Sequence, residues 1–236
     1  MRFRIVLAAL AFASTALAPA AFAQTEAEKL QDCREKIESD ADAAYQDGLN
    51  WLARGNRPAA RQCTALALIA LGQEAEGAAR LEELANAPDA GGLEERAMYL
   101  TQAGNAWLMA GMPDAAVTTL TNALKLRPND GELFKDRARA YVSLKKWREA
   151  ATDLDSAIDL SAGDAEAYRM RGHTRMKLGQ LVEAWADVDM AIRYAPNDIN
   201  VLVLRGDVRE AMRMAGLDDP AGLGAEPETR AKIVGN

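Results

Sequence analysis

Residues 97 to 130 read AMYLTQAGNAWLMAGMPDAAVTTLTNALKLRPND, and residues 131 to 164 and 165 to 198 repeat the arrangement of this stretch. Four columns of residues return at a common spacing of 34 positions. The columns are Gly104, Ala138 and Gly172; Ala116, Ala150 and Ala184; Ala123, Ala157 and Ala191; and Pro128, Ala162 and Pro196. A period of this size marks stacked supersecondary units.

Within each unit the apolar residues follow the spacing of an α-helix. Leu100, Gly104 and Trp107 are separated by four and three positions, and Leu120 and Leu124 by four. Each unit is therefore predicted to be a hairpin of two helices. The predicted helices span 94–110 and 114–126, 131–144 and 147–160, and 164–178 and 181–194, followed by a helix at 201–214.

This pattern resembles the tetratricopeptide repeat (TPR) family, in which small residues lie where two helices cross and a proline follows the second helix. The resemblance implies an all-α, right-handed α-solenoid of helix-turn-helix repeats. It also implies an interaction module, because the first helices of successive TPR hairpins line a concave groove that holds peptides. No chemistry of its own is expected.

The chain is predicted to divide into nine segments. They are 1–23, a signal peptide; 24–57, N-terminal helices; 58–87, a degenerate TPR-like hairpin; 88–96, a linker and helix start; 97–130, 131–164 and 165–198, three TPR units; 199–215, a capping helix; and 216–236, a flexible tail. The linker is dense in turn formers and shifts the repeat phase, because the turn glycines Gly72 and Gly111 are 39 residues apart. A bend and a hinge are both compatible with it.

The first residues have the pattern of a secretory signal peptide. Arg2 and Arg4 precede an apolar run, and Ala21-Phe22-Ala23 offers small residues at a cleavage point. The alternative is a retained membrane anchor, because residues 5–23 form an uncharged stretch of 19 residues. We favour cleavage, which predicts a periplasmic or secreted protein.

Charge and hydropathy limit the partners of the mature chain. Removal of two arginines with residues 1–23 takes the formal charge from −7 to −9. Such acidity argues against nucleic acid or an anionic membrane surface as the main partner. After Gln24 the longest apolar run is 65–71, too short to span a membrane, so no span is expected after signal cleavage.

The sequence contains two cysteines, Cys33 and Cys63. In an oxidising compartment an even number of cysteines favours a disulfide. A bridge across this separation stabilises a fold by roughly 3 to 4 kcal/mol in the chain-entropy model. Metal binding and redox chemistry are weaker alternatives, since the spacing fits neither.

The resemblance implies that the groove is lined by residues on the first helix of each unit. The candidate partner-binding residues are Asn105, Leu108, Met109, Lys135, Arg139, Arg169, His173, Met176 and Lys177. Their basic members predict a protein or peptide partner with a carboxylate terminus or an acidic segment. The alternative is that these cations are solvated, with Glu132 and Glu166 paired to basic neighbours within a turn.

Two further sets of charged residues bear on how the helices are held together and on which ligand could bind. Arg137, Arg171 and Arg205 each come directly before the small residue of a helix crossing. Their guanidinium groups are predicted to hold the helices together by binding aspartates. These aspartates are Asp153, Asp155, Asp187 and Asp189. In TPR domains that grip a terminal carboxylate, Lys, Asn and Arg would be needed at Thr101, Asn105, Asp136, Glu166 and Met170. Only Asn105 matches, so a carboxylate clamp is not expected.

The sequence contains no phosphate loop, nucleophile elbow or His-rich metal helix, and His173 is its single histidine. No enzymatic activity, cofactor or metal is expected. The sequence predicts an exported TPR adaptor or scaffold of the cell envelope. The alternatives are an envelope protein that binds a small molecule or glycan such as a muropeptide, and self-assembly through the ends of the array. The first would use Trp51, Trp107, Trp147 and Trp185, but repeat spacing indicates that Trp107 and Trp51 pack between helices, and Trp147 and Trp185 lie on second helices.

Overall fold

The computed structural model describes residues 24–217, which form helices and short turns without a β-strand in that range. The helices are α1 (Glu26–Ser39), α2 (Ala41–Arg54), α3 (Pro58–Ala70), α4 (Glu74–Asn86), α5 (Leu93–Met109), α6 (Pro113–Leu126), α7 (Gly131–Ser143), α8 (Trp147–Leu160), α9 (Ala165–Lys177), α10 (Leu181–Tyr194) and α11 (Ile199–Met214). The six helices predicted between residues 94 and 194 agree with the structure to within one residue at each end. The all-α solenoid is confirmed. The predicted signal peptide and most of the predicted tail lie outside the described residues.

Local sequence signals set where the helices of the repeats begin. The Asp130 and Asp164 carboxylates accept backbone N–H groups at the starts of α7 and α9, as expected of N-cap residues. Pro113 occupies the first turn of α6, where a missing N–H costs nothing. The same capping residue thus recurs at the start of consecutive units.

Small residues allow the two helices of a hairpin to cross closely. A Cβ added to Gly104 of α5 would lie 2.5 Å from Cγ of Leu120 in α6, and one added to Gly172 of α9 would lie 3.3 Å from the Ala184 carbonyl oxygen of α10. Ala138 occupies the same column in α7 and is fully buried. The column found in the sequence is therefore the contact point of each helix pair.

A continuous apolar core runs along the stack. One cluster of buried side chains extends from α3 to α7, and a second extends from α7 to α11. Phe134 of α7 packs against both clusters. Each hairpin is consequently stabilised by its neighbours, as in other solenoids.

The arginine column ties helices together, as predicted for two of its three members. Arg137 donates two hydrogen bonds to Asp153, of 2.8 and 2.7 Å, and Arg171 bonds Asp187 and Asp155 at 2.7 Å each. Two predictions were wrong. Asp189 pairs with Arg193 of its own helix, and the Arg205 guanidinium lies over the Trp185 ring with no carboxylate partner in the described residues.

The N-terminal end of the array is held by a covalent bond, and the linker is held by Arg96 and by Arg61, which pairs with Asp89 at 2.5 Å. Cys33 of α1 and Cys63 of α3 form a disulfide. Across the linker, the Arg96 guanidinium donates to the carbonyl oxygens of Ala85, Ala87 and Gly91 at 2.7, 2.9 and 3.1 Å. These three bonds fasten the end of α4 and the linker to α5 and restrain movement at the linker.

The glycine column provides a matched test of the crossing. Gly104→Ala places a methyl group against buried Leu120 and should destabilise the fold by about 1–3 kcal/mol. Gly206→Ala, in the same column of α11, meets no described atom within 4 Å and should gain up to about 1 kcal/mol of helix propensity. Urea unfolding of both variants measures the difference. Equal effects at the two positions would contradict this account of the crossing.

Candidate functional site

Two hollows lie between the first helices of consecutive units. We use the name inner face for these two hollows and the side chains of α5, α7 and α9 that lie between them. The hollow between α5 and α7 has a volume of about 420 Å³ and includes Met98, Thr101 and Glu132 in its lining. The hollow between α7 and α9, of about 400 Å³, is lined by Arg139, Val142, Ser143, Arg169, Met170 and His173. The second hollow therefore combines three predicted groove residues, Arg139, Arg169 and His173, with apolar surface.

Lys135, the first basic residue predicted for the groove, is not available to a partner. Its side chain is 6% exposed, and its Nζ lies 2.5 Å from Asp164, 2.9 Å from Glu132 and 3.7 Å from Glu166. Although burial opposes the charged form, the hydrogen bonds to Asp164 and Glu132 raise the pKa of Lys135 above its usual value. The prediction of an exposed lysine here was wrong, because carboxylates of two units surround it.

A chain of polar contacts continues from Asn105 across the inner face. Asn105 Nδ2 donates to Asp136 at 3.1 Å, Asp136 also accepts from Arg139, and Arg139 bonds Glu166 at 2.9 Å. Burial raises the pKa of the Asp136 carboxyl, although the Asn105 hydrogen bond and the Arg139 charge act in the opposite direction. These contacts tie α5 to α7 and α7 to α9, so part of the predicted groove holds the units together.

Helix α9 carries basic side chains that are weakly paired or have no ion pair within residues 24–217. Arg169 has one weak ion pair, 3.6 Å from Glu166, and Lys177 is exposed with no ion pair in the part of the chain that the structure describes. Burial, followed by the charges of Lys177 and Arg169, lowers the pKa of His173 below its usual value. We call Arg169, His173 and Lys177 the α9 basic cluster. Arg169 and Lys177 thus bring positive charge close to His173, and Asp207 acts in the opposite direction.

The apolar residues predicted for the groove differ in exposure. Met109 is 63% exposed at the end of α5. Leu108 and Met176 are partly buried and pack against the two core clusters. Met109 is therefore the most accessible of the three to a partner.

The acidic half of the inner face was largely missed by sequence reasoning. Pairs within one turn, Glu132 with Lys135 and Glu166 with Arg169, were expected and are present. Pairs between units were not expected, although Lys135 with Asp164 and Arg139 with Glu166 are separated by 29 and 27 residues. Each separation is shorter than the 34-residue repeat by between one and two turns of helix. Comparing opposite charges at that offset would have found them.

A larger cavity lies at the N-terminal end, next to the disulfide. It has a volume of about 460 Å³ between α1, α2 and the start of α3. Its lining residues are Gln24, Glu26, Lys29, Asp32, Cys33, Asp47, Gly48, Asn50, Trp51, Arg54, Gly55, Arg57 and Cys63. The Lys29 ammonium lies 5.6 Å from the centre of the half-buried Trp51 ring. This cavity was not predicted, because its walls depend on how α1 packs against α2 and α3.

The other tryptophans are used in packing. Trp107 contacts the first core cluster and donates its indole N–H to Glu82 at 3.0 Å. Trp185 is 8% exposed, and Trp147 meets the His173 ring edge-on at 6.0 Å. Trp51, which repeat spacing predicted to pack between helices, instead lines the cavity beside the disulfide.

The two lysines of the inner face should respond differently to removal of their charge. Lys135→Met keeps the buried stem but leaves Asp164 and Glu132 without their cation, and should destabilise the fold by about 2 kcal/mol or more. Lys177→Met removes an exposed charge and should change stability by less than about 0.5 kcal/mol. Urea unfolding at neutral pH measures both. Similar values for the two variants would contradict a structural role for Lys135.

The comparisons with known proteins identify the fold independently. No family model and no curated protein matches the chain. Among solved structures, the first TPR domain of human RPAP3 is 28% identical, covers 51% of this chain and 94% of its own, and has a TM-score of 0.50.

Two other solved structures cover more of the chain. MamA from Desulfovibrio magneticus RS-1 is 21% identical, with 69% of this chain and 90% of its own covered and a TM-score of 0.59. YrrB, described as a TPR protein with an unusual peptide-binding site, is 14% identical, with 77% and 92% covered and a TM-score of 0.58. Together with three in-phase repeats of 34 residues and their observed helix crossings, these likenesses show that the chain has the fold of tetratricopeptide repeat proteins.

Proposed function

We propose that this protein is an exported adaptor that holds an acidic segment of a partner protein in the hollow between α7 and α9. The observation that carries the proposal is the α9 basic cluster, whose charge is not balanced by the carboxylates around it. The protein as a whole is acidic, with a formal charge of −7. A local positive site on such a surface selects and orients an acidic segment.

The same hollow offers apolar contact beside the charges. Val142 and Met170 form part of its wall, and Met176 lies one turn beyond His173 on α9. Methionine side chains adapt to different apolar partners. The site therefore suits a peptide in which acidic and apolar residues alternate. YrrB has the same fold and a peptide-binding site, so the fold is compatible with a bound peptide.

The arrangement does not support recognition of a terminal carboxylate by a clamp. Asn105 is the one matching position, and its side-chain amide donates a hydrogen bond to Asp136. Glu166 stands where a lysine would be required and bonds Arg139 instead. Because Asp136 and Glu166 occupy clamp positions, we place the acidic segment at the α9 basic cluster and not at the clamp positions.

The proposed compartment is the periplasm or the outside of the cell. The residues that support it are the basic and apolar start of the sequence and the Ala21-Phe22-Ala23 site. The disulfide between Cys33 and Cys63 is compatible with this compartment, because such bonds persist in oxidising surroundings. Within residues 24–217, no helix is both long and apolar enough to cross a membrane.

Charge reversal at the α9 basic cluster tests the proposed ligand site. The variant Arg169→Glu, Lys177→Glu should lower recovery of the partner from envelope extract at least tenfold, because it replaces attraction by repulsion. Lys135 is left unchanged, since its loss would weaken the fold. The measurement is quantitative affinity capture on the immobilised chain from Gln24 onward.

A matched control carries the same change of charge on second helices. Lys125→Glu, Arg148→Glu alters exposed residues of α6 and α8 and should recover the partner as the wild type does. Equal recovery by all three proteins would exclude the α9 basic cluster as the ligand site.

A second candidate function is favoured by the cavity at Trp51. Its volume lies within the range of small-ligand sites, and it combines an aromatic ring with charged groups of both signs. Sugars commonly pack against such rings, so an envelope glycan or muropeptide is the ligand class to test.

Fluorescence distinguishes this candidate from the adaptor. If muropeptides bind in the cavity, they should change the tryptophan emission of the wild type, and Trp51→Phe should abolish that change. Trp107→Phe is the control, because Trp107 is fixed in the core cluster. No change in the wild type at millimolar muropeptide would reject this candidate.

A further inference from the structure

The α9 basic cluster forms a stripe along one face of its helix. Arg169, His173 and Lys177 follow one another at intervals of four residues, so their side chains lie on one face, about 6 Å apart along the axis. Arg169 and His173 line the hollow between α7 and α9. An extended acidic segment that contacts both Arg169 and Lys177 therefore passes over His173.

The imidazole of His173 is accessible to such a ligand. The residue is half-buried, and its ring meets the Trp147 ring edge-on at 6.0 Å. Within residues 24–217 neither ring nitrogen has a hydrogen-bond partner, and neither is sealed from solvent. The ring can therefore form a hydrogen bond with a ligand without giving up one inside the protein.

The charges nearest to His173 keep its ring neutral in the free protein. Burial opposes protonation, the charges of Lys177 and Arg169 on α9 oppose it further, and Asp207 of α11 favours it. Together they lower the pKa of His173 below its usual value, so most of the imidazole is neutral at pH 7.

The carboxylates that face α9 from the other neighbouring helices are already paired with arginines. Arg139 of α7 binds Asp136 and Glu166. The remaining pairs join Arg171 and Arg175 of α9 to Asp155 of α8 and Asp187 of α10. His173 is the single histidine of the sequence, and it is the residue bordering the hollow whose usual pKa lies between pH 5.5 and pH 7.5.

We propose that the acidic segment binds in the hollow together with one proton, which His173 takes up from solution. This inference rests on the function proposed above, because it concerns the same ligand site. A carboxylate within hydrogen-bond distance of the imidazole favours the charged ring and accepts a hydrogen bond from it. The imidazolium is then a further cation between Arg169 and Lys177. The site accordingly holds its ligand more tightly in mildly acid surroundings and releases it as the pH rises.

The direction of the pH effect follows from linkage. Bound ligand raises the pKa of His173 above its value in the free protein. Affinity therefore rises as the pH falls through the bound-state pKa, and it levels off below the free-state pKa. If the two pKa values differ by about 1, the gain in affinity is about tenfold. Below about pH 5 the glutamates of the ligand themselves begin to lose charge, which sets the lower limit of the measurement.

A synthetic peptide tests the coupling. The probe is a short peptide of alternating Glu and Leu that carries a tetramethylrhodamine label, whose emission does not depend on pH. Fluorescence anisotropy measures its Kd for the chain from Gln24 onward at pH 7.5 and pH 5.5. The Kd should be at least about fivefold lower at pH 5.5.

Two substitutions assign this pH dependence to the imidazole. His173→Gln, which cannot take up a proton, should remove it. His173→Lys carries a charge at both pH values, and should bind the peptide at pH 7.5 about as tightly as the wild type does at pH 5.5. Circular dichroism confirms that each variant is folded. A merely structural role of His173 would not give opposite effects of these two variants at pH 7.5.

The outcomes separate this inference from the function on which it rests. Arg169→Glu, Lys177→Glu should abolish binding of the peptide at both pH values. Equal Kd values of the wild type at pH 7.5 and pH 5.5, or a pH dependence that His173→Gln retains, overturn the proton uptake and leave the ligand site in place. Absence of binding at both pH values overturns the inference and the proposed function together.

Discussion

The close crossing of two helices at a small residue is the constraint on which the rest of the molecule depends. A Cβ added at Gly104 would lie 2.5 Å from Leu120, and one at Gly172 would lie 3.3 Å from the Ala184 carbonyl oxygen, so little more than the methyl group of Ala138 fits in this column. Because the crossing recurs every 34 residues, each hairpin presents the same surface to the next one. The stack, its continuous core and the hollows between first helices all follow from this repetition.

Charged side chains on this scaffold serve two purposes that their sequence positions do not distinguish. Arg137, Arg171 and Lys135 hold helices together through aspartates and are mostly shielded from solvent. Arg169 and Lys177 occupy the same first-helix surface but keep most of their charge available. The proposed ligand site is therefore a small positive region left between structural ion pairs, and not a uniformly basic groove.

The sequence predicted the helices and the arginine ties because both depend on residues at fixed repeat positions. It failed where contacts join different units at other offsets. Lys135 was expected to be exposed, since its partner Asp164 is 29 residues away and belongs to the cap of the next unit. The fixing of the linker by Arg96 and the cavity at Trp51 also depend on chain paths that periodicity does not describe.

The positive potential at α9 is most directly tested through His173, the single histidine of the sequence. Its ring proton signal can be followed by NMR from pH 8 to pH 4 without ambiguity of assignment. Burial together with the charges of Lys177 and Arg169 predicts a pKa below the usual value of about 6.5. Lys177→Met should then raise this pKa toward the usual value. A His173 pKa above about 6.5 would contradict the account, because it would show that carboxylates dominate the hollow.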